Sequence, residues 1–106
     1  VPFQLFTLPS YERCLKKLSA HQRETAGLIV SALTHSFESG LPLTGRPHVI
    51  KFAERSYRFI FKRLRGQIWE AYLEGHLRIL TRLENNSHYL VFVGNHDQVR
   101  QFLKEN

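Results

Sequence analysis

Between Gly66 and His96 the chain reads GQIWEAYLEGHLRILTRLENNSHYLVFVGNH, and the side chains best suited to chemistry are gathered here. Three strand-like runs, Ile68–Glu74, His76–Glu84 and His88–Val93, are separated by Gly75 and by the turn residues Asn85-Asn86-Ser87. Strand alternation puts Trp69, Ala71 and Leu73 on one face with Leu77, Ile79, Thr81 and Leu83. The opposite face collects Glu70, Tyr72 and Glu74 together with His76, Arg78 and Arg82. Carboxylates and imidazoles transfer protons, and guanidinium groups bind anions. A face of this kind is either a solvated sheet surface or an active or binding surface.

The elements that position this face are legible upstream and downstream of it. Phe3–Leu8 reads as an opening strand, and Pro9-Ser10 as a helix start with Ser10 as cap and Glu12 in the first turn. Tyr11, Cys14, Leu15 and Leu18 follow at helical spacing. Ser19 and Gln22 form a capping box for a second helix, whose apolar stripe is Ala26, Ile29, Val30, Leu33 and Phe37 and whose end is Ser39-Gly40. Leu41–Pro47 is a connector. His48–Ala53 and Arg55–Arg65 are predicted strands, and Asp97 is the expected cap of a short helix over Gln98–Lys104, with Val99, Phe102 and Leu103 facing inward. This order predicts an α+β fold in one domain, residues 1–106. An N-terminal strand and a helical hairpin pack on one face of a twisted antiparallel sheet, with a short C-terminal helix and the other face left open.

Composition narrows the function. The 15 Lys and Arg outnumber nine acidic residues, giving a net charge of +6, which favours nucleic acid, the ribosome or an acidic protein as partner. The densest basic run is Lys51, Arg55, Arg58, Lys62, Arg63 and Arg65, interleaved with Tyr57, Phe59 and Phe61. The basic residues suit phosphate contacts, and the rings are read as core. No apolar run approaches the roughly 20 residues that cross a bilayer, and there is no charged-then-apolar leader, so a soluble cytoplasmic protein without membrane contacts is expected. Cys14 is the single cysteine, so an intrachain disulfide is excluded, a reducing compartment fits, and a packing role is expected. The six histidines lack metal-ligand spacing, and neither a phosphate-cradling glycine loop nor a G-x-S-x-G turn is present. No metal or cofactor is expected.

Three segments in order are similar to the RelE/ParE superfamily of bacterial toxins. Leu64-Arg65-Gly66 followed by Ile68-Trp69-Glu70 resembles the family's "L-x-G…W-E" step. Gly75-His76-Leu77-Arg78-Ile79-Leu80 resembles its "G-x-x-R-I-x-Y" strand, and Phe92-Val93-Gly94-Asn95-His96 the strand ending in "G-x-H" of the YafQ-type branch. Two departures stand out: Pro47–Lys62 is longer and more strand-like than the usual connector, and Thr81 or Leu80 stands where many members carry a tyrosine. The resemblance implies a helical hairpin on a twisted sheet whose exposed face does the work. It also implies a cognate antitoxin as partner and mRNA as substrate, free or on the ribosome; the ParE branch poisons DNA gyrase instead.

On that resemblance the polar face acquires roles. RNA can be cut without metal when its own 2′-OH attacks the adjacent phosphorus, which needs a base, cations at the phosphate and an acid for the leaving 5′-oxygen. His96 matches the family's C-terminal histidine and is the expected general acid. Arg78 matches its strand arginine and is expected to hold the scissile phosphate. Glu74 or His76 is the candidate base, and Lys51, Arg58, Lys62, Arg65, Arg82 and Tyr72 are candidate RNA contacts. Arg78 could instead pair with Glu70 or Glu74 across the hairpin, and His48 could join the site. The expected function is a toxin acting as a metal-independent mRNA endoribonuclease. The alternatives are a ParE-like gyrase inhibitor without catalysis, and a non-toxic basic module that binds RNA or protein.

Overall fold

The computed structural model describes residues 3–40, 45–52, 54–73 and 75–106. Ala53, Glu74 and residues 41–44 of the predicted connector lie outside them. The described elements are β1 (Gln4–Thr7), α1 (Pro9–Lys16), α2 (Ala20–Ser39), β2 (His48–Phe52), β3 (Arg55–Arg65), β4 (Ile68–Tyr72), β5 (Arg78–Glu84), β6 (Ser87–Gly94) and α3 (His96–Glu105). The strands form one six-stranded sheet in the order β1-β6-β5-β4-β3-β2. The antiparallel expectation holds from β2 to β6, but β1 lies parallel to β6, with Gln4 opposite Ser87 and Thr7 opposite Leu90. The sheet is therefore mixed. After β1 the chain enters the helices and re-joins the sheet at its far edge, so no hairpin ties β1 to an antiparallel neighbour.

Local chemistry explains most helix ends. The capping box of α2 is formed as read: Gln22 N–H donates to Ser19 Oγ at 3.2 Å and Ser19 N–H to Gln22 Oε1 at 3.0 Å. Gly40 closes the helix at φ 65°, a left-handed conformation that costs glycine little. Two predicted caps are corrected. Ser10 is not the cap of α1, where Leu8 holds that position and Pro9 begins the helix. The Ser10 hydroxyl donates instead to the Val91 carbonyl at 2.8 Å, binding α1 to β6. Asp97 does not cap α3. Asn95 does, accepting from Gln98 N–H at 2.8 Å while Asn95 N–H donates to Gln98 Oε1 at 2.8 Å. His96 thereby becomes the first residue of that helix.

At 20 residues α2 is about 30 Å long, enough to cross the sheet, and it packs on β2, β3, β4 and β5. Ala26, Ile29, Leu33 and Phe37 of α2, with Tyr11 of α1, meet Ile50, Phe59, Phe61, Ala71, Ile79, Leu90 and Val93 in the main core. Burial pushes the Tyr11 phenol up to about 12. The other face is not wholly open. A second apolar cluster joins Leu80 and Val91 to Val99 of α3, with Leu8, Leu64, Ile68, Phe92, Phe102 and Leu103 packed around them. Phe92 and Phe102 stack with ring centres 4.8 Å apart. α3 occupies the β6 and β5 side of this face.

A register shift in β6 provides the seat for α3. Leu80 faces Phe92, but Thr81 faces Leu90, so Val91 is the extra residue of a bulge. Beyond it, β6 turns a histidine inward. His88 is 1% exposed, and its ring lies 5.1 Å from those of Phe3 and Phe61, 5.3 Å from Phe37 and 5.7 Å from Trp69. Among the described residues, the polar contact on this ring is between Nδ1 and Thr81 Oγ1, at 2.9 Å. A single hydrogen bond contributes about 1 kcal/mol, too little to hold an imidazolium among aromatic rings, and burial lowers the His88 pKa from 6.5 to about 4. The folded imidazole is neutral at neutral pH.

A pH dependence of stability follows. The unfolded chain takes up a proton near pH 6.5, whereas the folded chain does so only near pH 4. Stability is therefore full above pH 6.5 and declines as pH falls toward 4, by up to about 3 kcal/mol. Urea melts across that range should show this decline. The paired substitution His88→Phe with Thr81→Val removes both hydrogen-bonding partners and should flatten it.

Candidate active site

On the open part of the sheet, β3, β4 and β5 bring four predicted residues together. Phe59 and Phe61 point into the main core, so alternation turns Arg58 and Lys62 of β3 outward. Lys62 faces Glu70 across the strand pair, with Nζ 4.0 Å from Oε1; Glu70 is 5% exposed, and the Lys62 side chain is 42% exposed. The Lys62 amine also lies 5.8 Å from the centre of the Tyr72 ring. Over the same ring, 3.7 Å from its centre, sits the guanidinium carbon of Arg78. Arg78 Nη1 donates to the Gly75 carbonyl at 2.6 Å and more distantly to that of Leu77 at 3.4 Å. Glu70 thus partners Lys62, and Arg78 partners a ring and the backbone. Among the described residues, the contacts that fix the arginine are a ring and two carbonyls, none of which carries a negative charge.

His96 approaches this patch through the backbone. Arg78 is the register partner of Gly94, and His96 lies two residues beyond, exposed on the first turn of α3. The bond between Asn95 and Gln98 fixes where that turn begins. Lys51 lies on the exposed side of β2, opposite in alternation to buried Ile50, and extends the basic surface toward the sheet edge with Arg58. Glu74, one candidate base, lies outside the described residues.

Other predicted residues are placed elsewhere. His76, the second candidate base, is exposed at the bend before β5 and lines a cleft of about 290 Å³ with His21, Thr25, Leu77 and Asn95. His48 shares the alternation of Ile50 and so faces the helices. Arg65 does not face the patch: its Nη2 donates to the carbonyls of Leu103 and of Asn106, the latter at 2.7 Å. A guanidinium at the C-terminal end of α3 satisfies carbonyls that lack helical partners and complements the helix dipole. Arg82 Nε lies 3.0 Å from Glu84 Oε1, close enough for an ion pair but without hydrogen-bond geometry. Arg65 and Arg82 line a groove of about 770 Å³ between α3 and the β3–β4 turn, away from Arg78. His88 was not among the residues singled out by motif. Its signal was positional, two residues before Leu90 on the inward side of β6.

Among the described residues no group of three or more His, Cys, Asp or Glu could hold a metal ion, and no helix is long and apolar enough to cross a membrane. No family model matches the sequence, and no curated protein does. Solved structures do match. A chain of the toxin–antitoxin complex RelBE2 from Mycobacterium tuberculosis is 16% identical, with a TM-score of 0.50 over 91% of this chain and 100% of that one. A copper-bound mutant toxin from Helicobacter pylori is 12% identical, with a TM-score of 0.46 over 92% of this chain and 98% of that one. At 16% identity the likeness to the RelBE2 chain shows the fold alone, a helical hairpin on a twisted sheet.

The two kinds of arginine are separable by experiment. Arg65→Ala should lower stability by about 1–2 kcal/mol and speed amide exchange in α3, because charge-assisted bonds to two carbonyls are lost. Arg78→Ala should cost less than about 1 kcal/mol in the same urea melts. Equal losses would show that Arg78 is a structural arginine as well.

Proposed function

We propose that the chain is the toxin of a toxin–antitoxin pair and a metal-independent endoribonuclease that cuts mRNA, free or on the ribosome. The observation that carries this reading is the Arg78 guanidinium, held 3.7 Å from the Tyr72 ring centre beside Lys62 on the open face. A phosphate on this patch meets a planar donor fork already oriented by a ring and a carbonyl. In the proposed reaction the 2′-oxygen attacks phosphorus, the P–O5′ bond breaks, and a 2′,3′-cyclic phosphate and a 5′-hydroxyl are formed. Arg78 and Lys62 stabilise the charge that grows on the phosphorane oxygens. His96 gives its proton to the departing 5′-oxygen. The proton of the 2′-OH goes to the carboxylate of Glu74, further along the same run, since Glu70 is buried against Lys62. His76 is set aside as base because it lines the cleft beside α2.

The fold likeness to a chain of a toxin–antitoxin complex supports an antitoxin as partner. An acidic segment of such a partner would cover the basic face formed by Lys51, Arg58, Lys62 and Arg78 and block RNA.

Expression of the chain alone should arrest translation with loss of mRNA, and purified protein should cut mRNA with EDTA present. His96→Ala and Arg78→Ala should each slow cleavage by roughly 10²–10⁴-fold while circular dichroism stays unchanged. Arg78→Lys should recover little, since an ammonium lacks the planar fork. Intact mRNA both in solution and on translating ribosomes would refute the nuclease reading. DNA damage in place of mRNA loss would point to gyrase inhibition.

A further inference from the structure

The cleft that holds His76 is not used by the proposed chemistry, yet it adjoins that site. Gly75 forms part of its rim, and the Gly75 carbonyl is the group that accepts from Arg78 Nη1 at 2.6 Å. Gly75 therefore joins the cleft, on the helix side of the sheet, to Arg78 on the open side, at the end of the sheet where β4 passes to β5. The volume of the cleft, about 290 Å³, is at the small end for ligand pockets and suits one ring system rather than a larger molecule. Leu73 and Leu77 supply an apolar floor. The walls carry His21 and Gln22 from the first turn of α2, His76 from the bend and Asn95 from the start of α3. Both histidines are exposed. The capping boxes occupy the side-chain oxygens of Gln22 and Asn95, not their amide nitrogens. An apolar floor with imidazole faces and amide donors matches a flat ring that stacks and presents hydrogen-bond acceptors along one edge.

We infer that the cleft between the first turn of α2 and the Gly75–His76 bend is a base-recognition subsite. It takes one unstacked nucleobase of the RNA strand held at Arg78, with His21 and His76 as the recognising side chains. This inference rests on the nuclease reading for its substrate. An acceptor-rich edge such as O6 and N7 of guanine is the chemistry that the amide donors favour.

The test has a readout separate from cleavage. Titration of the full chain with guanosine 5′-monophosphate, followed through the imidazole C–H resonances, should shift His21 and His76, whereas ribose 5-phosphate should leave both in place. Identical shifts with the two ligands, or none with either, overturn the subsite whether or not the protein cuts RNA. In a cleavage profile over randomised RNA, His21→Ala should reduce the preference at one nucleotide beside the cut by roughly tenfold. His21 is an exposed helix position that accepts alanine without loss of fold. A wild-type preference kept in full by this variant overturns the inference and leaves the nuclease reading standing. Failure of wild-type protein to cut any RNA refutes the nuclease reading, and the titration then decides the cleft alone.

Discussion

The bulge at Val91 puts two consecutive side chains, Val91 and Phe92, on the same face of β6. Regular alternation would send one of them into the main core. With both turned outward, α3 has an apolar seat, completed by Leu80, Ile68 and Leu64. A ten-residue helix is marginal in water by itself. Burial of a valine or phenylalanine side chain contributes about 1.5–3 kcal/mol, so Val91, Val99 and Phe102 are sufficient to dock it. The carbonyl of the same extra residue, Val91, accepts from Ser10, which ties α1 to the sheet. Upstream of the bulge Leu90 faces the main core, and downstream Val93 does, so both layers depend on that one added residue.

Docking α3 on β5 and β6 divides the outer face into two zones with different uses for the same residue type. Near α3, Arg65 holds helix carbonyls and Arg82 lies beside Glu84. On the β3–β4–β5 part, Arg78 leans on Tyr72, and Lys62 lies alongside. In the first zone the positive charge is balanced by acceptors within the protein. In the second it rests on a π face, which attracts a cation without cancelling its charge. The second kind of arginine lies on the open part of the sheet, where an incoming phosphate meets it.

How much of this was legible depended on whether local chemistry or tertiary pairing made the decision. The Ser19–Gln22 box, the Gly40 stop and the alternation of Trp69, Ala71, Ile79 and Thr81 are local, and all were readable. Asn95 and Gln98 carry the same box logic, but Asp97 competes as a cap in the sequence, and only the start of the helix at His96 distinguishes them. Ser10 looked like a cap because its type and position allow it; what redirects it is a carbonyl 81 residues away. Alternation put Glu70 on the polar side correctly, but it cannot show that the carboxylate is buried between its cross-strand neighbours Lys62 and Leu80. The parallel pairing of β1 is set by long-range register, which leaves no local mark, and alternation puts His88 on the side of Leu90 without showing which side is the core. In the candidate site, Arg78, Tyr72 and Lys62 were recoverable from pattern. The position of His76 in the cleft was not, because a bend residue has no alternation to follow.

The energetics of the Arg78 contact explain why such a patch favours binding over stability. A partly exposed cation–π contact contributes about 0.5–1 kcal/mol, a minor stabilisation for the fold. Immobilising a long side chain on a ligand costs about 0.5–1.5 kcal/mol, so a guanidinium already held by Tyr72 and the Gly75 carbonyl has met much of that cost before a phosphate arrives. Desolvation acts in the same direction, since one face of the guanidinium is covered by the ring and needs no further stripping of water. The buried Glu70 would counteract this if it lay beside Arg78, because a carboxylate there would compete with the phosphate. Its placement against Lys62 keeps that competition on the lysine. Lys62, between Glu70 and the Tyr72 ring, carries a partly neutralised charge, whereas the described contacts of Arg78 are to a ring and to backbone carbonyls.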